Sequence, residues 1–148
     1  MTPARTTLSN AVPLRSPLRW LAAVGLVAAA VSHMPPVQEH LEEAPWVGVS
    51  FIVLGVVFSM LAAVLLMRDT RLAWLGSGVL CLAAVVGYVL SRTVGLPQIG
   101  DDVGNWTGEA MGVLAITSEG LTIVLALFAL LHRPQRRLRI VQQVDAAA

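Results

Sequence analysis

The chain has 148 residues, of which 56% are hydrophobic and only 13% are charged, and its formal net charge is +1. Soluble domains carry about 25% charged residues, so this composition excludes an ordinary soluble domain and favours an integral membrane protein. The sequence contains no P-loop, dinucleotide fingerprint, nucleophile elbow or basic nucleic-acid patch, so neither a reaction nor a nucleic-acid partner is predicted. The single cysteine, Cys81, excludes an intrachain disulfide and is predicted to be a small buried side chain.

The chain begins with a polar segment and a short apolar one. Residues 1–16 are polar and contain arginines, and they predict a disordered cytoplasmic arm. Residues 17–34 predict a first transmembrane span, because Ser16 and Pro17 suit a helix start and the prolines at 35–36 cannot continue a helix. A cleaved export signal is the alternative for this segment. We favour a retained helix, because no cleavage motif stands directly before a soluble domain.

Three longer apolar runs follow, at residues 45–67, 71–91 and 106–131. A helix needs about 20 apolar residues to cross the hydrocarbon core, and each of these runs is long enough. The chain is therefore predicted to be all-α, with a four-transmembrane-helix antiparallel bundle over residues 17–132. An Arg-rich cytoplasmic tail is predicted over residues 133–148.

The distribution of charge and of tryptophan predicts the orientation of this bundle. Nine of the ten arginines fall on one side of the predicted spans, and cytoplasmic loops are enriched in Lys and Arg. Both termini are therefore expected in the cytoplasm, with the chain a multi-pass membrane protein. All ten basic residues are Arg and none is Lys, which suggests a GC-rich bacterial genome and hence the cytoplasmic membrane of a bacterium. Trp20 and Trp74 are expected at the cytoplasmic interface, and Trp46 and Trp106 at the outer one. The opposite face has one base, Arg92, and is rich in acids: Glu39, Glu42, Glu43, Asp101, Asp102 and Glu109.

The first outer loop combines histidines with carboxylates. A helical turn or two over residues 37–43 would place His40 and Glu43 on one face. Together with His33 and with Glu109 from the second loop, they form a candidate first shell for zinc, copper or iron. The spacing matches no closed metal motif, and a solvated acidic loop with surface histidines is the alternative.

The second outer loop is rich in glycine and proline and is predicted to have a fixed shape. Arg92, at the outer end of the third span, is expected to anchor this loop through an acidic partner; binding of an anionic ligand is the alternative. Asn105 or Thr107 is expected to cap the fourth helix. Glu109 is expected in the first turn of that helix, where the helix dipole favours a carboxylate.

Glu119 lies near the middle of the fourth predicted span. A carboxylate in this position is costly, and it normally faces the bundle interior or water. It is therefore a candidate proton carrier, ion ligand or buried hydrogen-bond anchor. The nearby hydroxyls of Thr117, Ser118 and Thr122 are candidate partners for it.

These motifs resemble a family of small four-helix integral membrane proteins of actinobacteria. The resemblance is carried by His33, the E-H-x-x-E of residues 39–43, the S-R-T-V-G-L-P of residues 91–97, the G-N-W-x-x-E of residues 104–109 and Glu119, and it extends from about residue 33 to 131. It implies the same four-helix topology and implies no reaction. It also suggests that the outer polar residues act as a set.

Three functions remain open at this stage. The first is a site for a metal ion or small ligand on the extracytoplasmic half of the bundle. The second is a non-enzymatic accessory subunit, which would bind a membrane or extracytoplasmic partner protein. The third is a proton- or ion-coupled carrier that uses Glu119, as a homo-oligomer because four helices enclose little space.

Overall fold

A computed structural model describes residues 16–98, 100, 102–107 and 109–132 of the chain. These residues form five α-helices, which we number in chain order: α1 Arg19–Ser32, α2 Val37–Glu43, α3 Pro45–Arg68, α4 Arg71–Thr93 and α5 Ala110–Leu131. No strand occurs among them, so the prediction of a helical protein is confirmed. The predicted arm before Ser16 and the Arg-rich tail lie outside the described residues.

The helices α3, α4 and α5 are each long and apolar enough to cross a membrane. The helix α1 has 14 residues, which is about 21 Å of helix and less than the ~30 Å of a hydrocarbon core. Together α1 and α2 are long and apolar enough to cross a membrane, but the two helices are bent by 49° at their junction. Pro35 and Pro36 lie at this bend and lack the N–H that a continuous helix needs. The described residues therefore contain three candidate membrane spans, or four if α1 and α2 form one broken span.

The long helices contact one another in the order α3, α1, α5, α4, and the contact between α4 and α3 is the smallest. The helices α1 and α5 approach closely at Gly25, where an added Cβ would lie 2.6 Å from the hydroxyl oxygen of Thr122. Cys81 is fully buried in the core, as predicted. The other core side chains are small or apolar, among them Ala22, Leu26, Ala29, Phe58, Leu65, Leu125, Ala126 and Ala129.

The outer surface of the helices is covered with large apolar side chains, including Val53, Met60, Leu72 and Val124. Such a continuous apolar surface is rare on soluble monomers, and it suits contact with lipid. Trp20 is 61% exposed, and Trp46 and Trp106 are each 45% exposed. Trp74 is fully buried, so it does not face lipid. It packs into the core instead and uses its indole N–H inside the protein.

We call the end of the molecule that contains Ser16 and residues 69–74 the turn end. Asp69, only 1% exposed, links three segments there: it accepts hydrogen bonds of 2.6 Å from Trp74 Nε1 and of 2.6 Å from the backbone N of Ser16. Its φ of +43° is a left-handed conformation that Asp tolerates better than most residues. Ser16 was expected to cap α1, but the capping residue is Leu18. Thr70 caps α4 by accepting a bond from Ala73 N.

The start of α5 also differs from the prediction. The helix begins at Ala110 instead of near residue 106, and its capping residue Glu109 makes no side-chain capping bond. Residues 102–107 form turns instead of helix. The predicted capping roles of Asn105 and Thr107 and the predicted first-turn position of Glu109 are therefore wrong. The reason is that contacts with α4, described below, hold this segment outside the helix.

Candidate ligand-binding cavity

We call the opposite end of the molecule, which contains α2 and the described part of residues 94–109, the loop end. A cavity of about 500 Å³ lies there between α3 and α4. Most of its wall is apolar, and its polar lining comes from all five helices and from the second loop. The titratable side chains that line it are those of His33, His40, Tyr88, Arg92, Asp102, Glu109 and Glu119.

Glu119 is a buried polar residue of this cavity. It is 1% exposed, and its Oε1 atom has no hydrogen-bond partner among the described residues. The three hydroxyls expected to help it bond elsewhere on their own helix: Thr117 donates to Val113 O, Ser118 to Ala115 O and Thr122 to Ser118 O. A buried polar atom without a partner is costly. The carboxyl is therefore available to a ligand.

His33 lies across the cavity floor from Glu119. Its Nε2 atom is 3.7 Å from Glu119 Oε1, which is beyond hydrogen-bond distance. Its Nδ1 atom is 2.7 Å from the carbonyl oxygen of Ala29. Because a carbonyl only accepts, Nδ1 must carry a proton. In the neutral ring Nε2 is then an acceptor that faces Glu119.

His40 is held in the same way as His33. Its Nδ1 atom is 2.8 Å from the carbonyl oxygen of Pro36, and both imidazoles contact the ring of Phe51, with centroid distances of 5.2 Å for His33 and 5.1 Å for His40. The exposed His132 makes the same bond to the carbonyl four residues before it. This bond is therefore a feature of helix geometry and is not specific to a metal site.

The predicted metal ligands are only partly brought together. His33, His40 and Glu109 line the cavity, whereas Glu43 is exposed on α2 and does not line it. Within the described ranges, no group of three or more His, Cys, Asp or Glu side chains is close enough to hold a metal ion. The two-histidine arrangement thus lacks the third protein ligand that a zinc site requires.

Arg92 is the centre of the polar cluster at the cavity mouth. It is 5% exposed; its Nη1 atom lies 2.6 Å from Asp102 Oδ1, and its Nη2 atom lies 3.5 Å from Glu109 Oε2. The guanidinium also lies 5.0 Å from the centre of the Tyr88 ring. The observed contact with Asp102 agrees with the loop-anchor interpretation. An anion that bound through Nη1 or Nη2 would have to displace one of the two carboxylates.

Backbone bonds hold the second loop against α4. Gly104 N donates to Arg92 O at 2.9 Å, and Tyr88 OH donates to Trp106 O at 2.8 Å. Gly104 has a φ of +84°, which glycine adopts without strain. These contacts turn the chain over the end of α4 and explain why α5 starts late. The sequence prediction did not identify Tyr88 or Phe51, because an aromatic residue within an apolar run gives no signal of a site.

The part of the chain that the structure describes thus defines a class of protein: it is helical, three or four of its helices are able to cross a membrane, and it has a cavity lined in part by polar residues at one end. Comparison with protein-family models, with curated proteins and with solved structures finds no match to this chain.

Proposed function

We propose that the chain is a four-helix antiparallel bundle in the cytoplasmic membrane of a bacterium, with both termini in the cytoplasm. The positive-inside rule supports this orientation, because Arg19, Arg68 and Arg71 belong to the first turn of α1 and to the two helix ends beside the turn. The loop end would then face the extracytoplasmic side. The resemblance to the actinobacterial family is in keeping with this topology.

Within this framework, we propose that the cavity binds a small, largely apolar molecule. The observation that carries the proposal is the Glu119 carboxyl, which is buried, lines the cavity and leaves Oε1 without a partner among the described residues. A ligand group that donates a hydrogen bond would satisfy this atom. A volume of about 500 Å³ lies in the range of ordinary small-molecule sites, which are mostly apolar with a few polar groups.

The geometry favours an organic ligand over a metal ion. Glu43 lies outside the cavity, and Glu109 is within 3.5 Å of Arg92. A metal ion would therefore compete with a guanidinium for one of its few ligands. The accessory-subunit alternative has no supporting observation of its own.

A carrier that uses Glu119 is the second candidate, supported by the 3.7 Å approach of His33 Nε2 to the carboxyl. Transport also requires access to Glu119 from the turn end. Below Glu119, the packed side chains of Phe58, Leu65 and Trp74 fill the space between the helices. This conformation therefore favours binding from one end.

The binding proposal is tested by filling the cavity. Gly87 lines it, and a Cβ added there meets nothing within 4 Å, so Gly87→Phe should place a phenyl ring in the cavity without a clash at Cβ. Gly120→Phe is the matched control, since Gly120 is also helical and has open space but does not line the cavity. Both substitutions replace glycine, whose helix propensity is lower than that of phenylalanine.

The measurement is equilibrium dialysis of 1-naphthylmethanol against the protein in lipid nanodiscs, with empty nanodiscs subtracted. We expect Gly87→Phe to weaken binding by about tenfold, which corresponds to ~1.4 kcal/mol, and Gly120→Phe to leave it unchanged. Equal binding by wild type and Gly87→Phe would overturn the proposal.

A further inference from the structure

We propose that the cavity selects a lipophilic cation, that is, an apolar molecule with an amine or ammonium group, and that Glu119 binds this group. The inference rests on the proposed binding function and adds the charge of the ligand. It depends on three independent features: the charge of the loop end, the charge balance inside the cavity and the aromatic wall.

The loop end carries a clear excess of negative charge. Among the described residues its only base is Arg92, while its carboxylates are Glu39, Glu42, Glu43, Asp102 and Glu109. The arginines Arg19, Arg68 and Arg71 lie in the part of the chain near the turn end. A cleft lined by one sign of charge, with walls of low dielectric constant, raises the local concentration of ions of the opposite sign. Cations are therefore attracted to the end where the cavity opens.

The charged side chains that line the cavity are also mostly acidic. Its lining contains one guanidinium, that of Arg92, and three carboxyls. Two of these, Asp102 and Glu109, already contact the guanidinium at 2.6 and 3.5 Å. An anionic ligand would therefore find only the Nε donor of Arg92 unbonded among the described residues, beside two carboxylates that already contact this guanidinium, and it would also face Glu119. A cationic ligand would face Glu119, whose Oε1 has no hydrogen-bond partner among the described residues.

The histidines do not reverse this balance when they are neutral. His33 and His40 each use the Nδ1 proton on a backbone carbonyl, which leaves Nε2 as an acceptor. An ammonium group carries several N–H donors and no acceptor. It could donate both to Glu119 Oε1 and to His33 Nε2, whose separation of 3.7 Å leaves these two acceptors side by side.

The walls of the cavity suit the rest of such a molecule. Phe51 and Trp46 line it from α3, and an aromatic face attracts a cation as well as an apolar body. Small side chains on the opposite wall, Ala83, Ala84 and Gly87 of α4, leave space for a ring system. The apolar part of the ligand would lie between α3 and α4, with its charged group directed toward Glu119.

The test uses three probes that share one apolar body and differ in charge. They are 1-naphthylmethylamine, which is a cation when protonated, the neutral 1-naphthylmethanol, and the carboxylate anion 1-naphthaleneacetate. Each is dialysed against wild-type protein in uncharged nanodiscs, at a pH above the ordinary titration range of histidine and below that of the amine. We expect the amine to bind about tenfold more tightly than the alcohol, because hydrogen bonds to charged groups are worth about 1.5–3 kcal/mol. The acetate should bind most weakly.

Two variants test whether Glu119 is the residue that produces the preference for the amine. Glu119→Gln keeps the side-chain shape and should abolish the preference for the amine while changing alcohol binding less than about twofold. Glu42→Gln removes the same charge from the loop end at an exposed position outside the cavity, so it should leave the preference intact. The charge series on wild-type protein needs no variant, so the proposal stays testable even if Glu119→Gln folds poorly.

Failure of this inference differs from failure of the proposed function. Equal binding of the three probes, or tightest binding of the acetate, overturns the cation preference. If Gly87→Phe still weakens all three, the cavity remains a binding site. If Gly87→Phe weakens none of them, the proposed function fails as well.

Discussion

Asp69 at the turn end and Glu119 at the loop end are each 1% exposed, yet their surroundings are opposite. Asp69 accepts bonds of 2.6 Å at both carboxylate oxygens, from Trp74 Nε1 and from Ser16 N. Glu119 Oε1 has no hydrogen-bond partner within the described part of the chain. Equal burial therefore does not mean an equal role, because the cost of burying a polar group depends on whether its bonds are made.

The contrast extends to the space around each carboxyl. Around Asp69 the fully buried ring of Trp74 fills the interior, whereas Glu119 lines a cavity of about 500 Å³. The turn end also has its helix start capped by Thr70, while the loop end leaves Arg92 Nε without a partner in the residues the structure describes. One end is organised for stability. The other retains the unsatisfied groups that a ligand can use.

The largest expected effect is the loss of stability from Asp69→Ala. The substitution leaves the buried Trp74 N–H without an acceptor and places alanine at a φ of +43°. We expect the free energy of unfolding to fall by about 3 kcal/mol, since each orphaned donor costs about 1–3 kcal/mol. Asp69→Asn keeps one acceptor and tolerates the left-handed backbone, so it should cost less. Denaturation of the protein in mixed micelles measures both, and equal stability of Asp69→Ala and wild type would remove the distinction between the two ends.

A smaller effect is expected at the mouth of the cavity from Arg92→Gln. The change leaves Asp102 and Glu109 without their guanidinium and should cost about 2 kcal/mol, below the range for fully buried pairs because the carboxylates are 23% and 51% exposed. Backbone amides of residues 102–107 should exchange hydrogen faster, while those of α1 should not. Arg71→Gln removes an exposed arginine and serves as the control. Unchanged exchange in this loop would contradict the anchoring role of Arg92.

The smallest expected effect on the free energy of unfolding is that of Glu119→Met, which should stabilise the protein slightly or leave its stability unchanged. Methionine has a similar length and no polar atom that needs a hydrogen bond, so the free energy of unfolding should rise by about 1 kcal/mol or stay the same. The same denaturation measurement applies, with Ser118→Ala as a neighbouring control. A loss comparable to that of Asp69→Ala would identify Glu119 as a structural anchor and would contradict its assignment to the ligand.

The sequence by itself determined the helical nature of the chain and most of the helix positions. The apolar run that starts at Pro45 and ends near Arg68 could be identified because its length matches a membrane, and Pro35 and Pro36 marked the break after α1. Glu119 could be identified because a carboxyl in the middle of a membrane-spanning helix is energetically costly. The acidic residues of the second loop indicated a partner for Arg92. These features depend on local composition, which a single sequence contains.

Only the tertiary structure decided which polar groups are satisfied. Trp74 and Trp20 have similar sequence surroundings near helix starts, yet one is fully buried and the other 61% exposed, because burial depends on which helices pack against each residue. The position of Glu43 outside the cavity and of Tyr88 within it follows from the same packing. Asp69 and Glu119 differ in hydrogen bonding for this reason: Ser16 and Trp74 are packed where they donate to both oxygens of Asp69. Glu119 instead borders a cavity, and its Oε1 has no hydrogen-bond partner among the described residues.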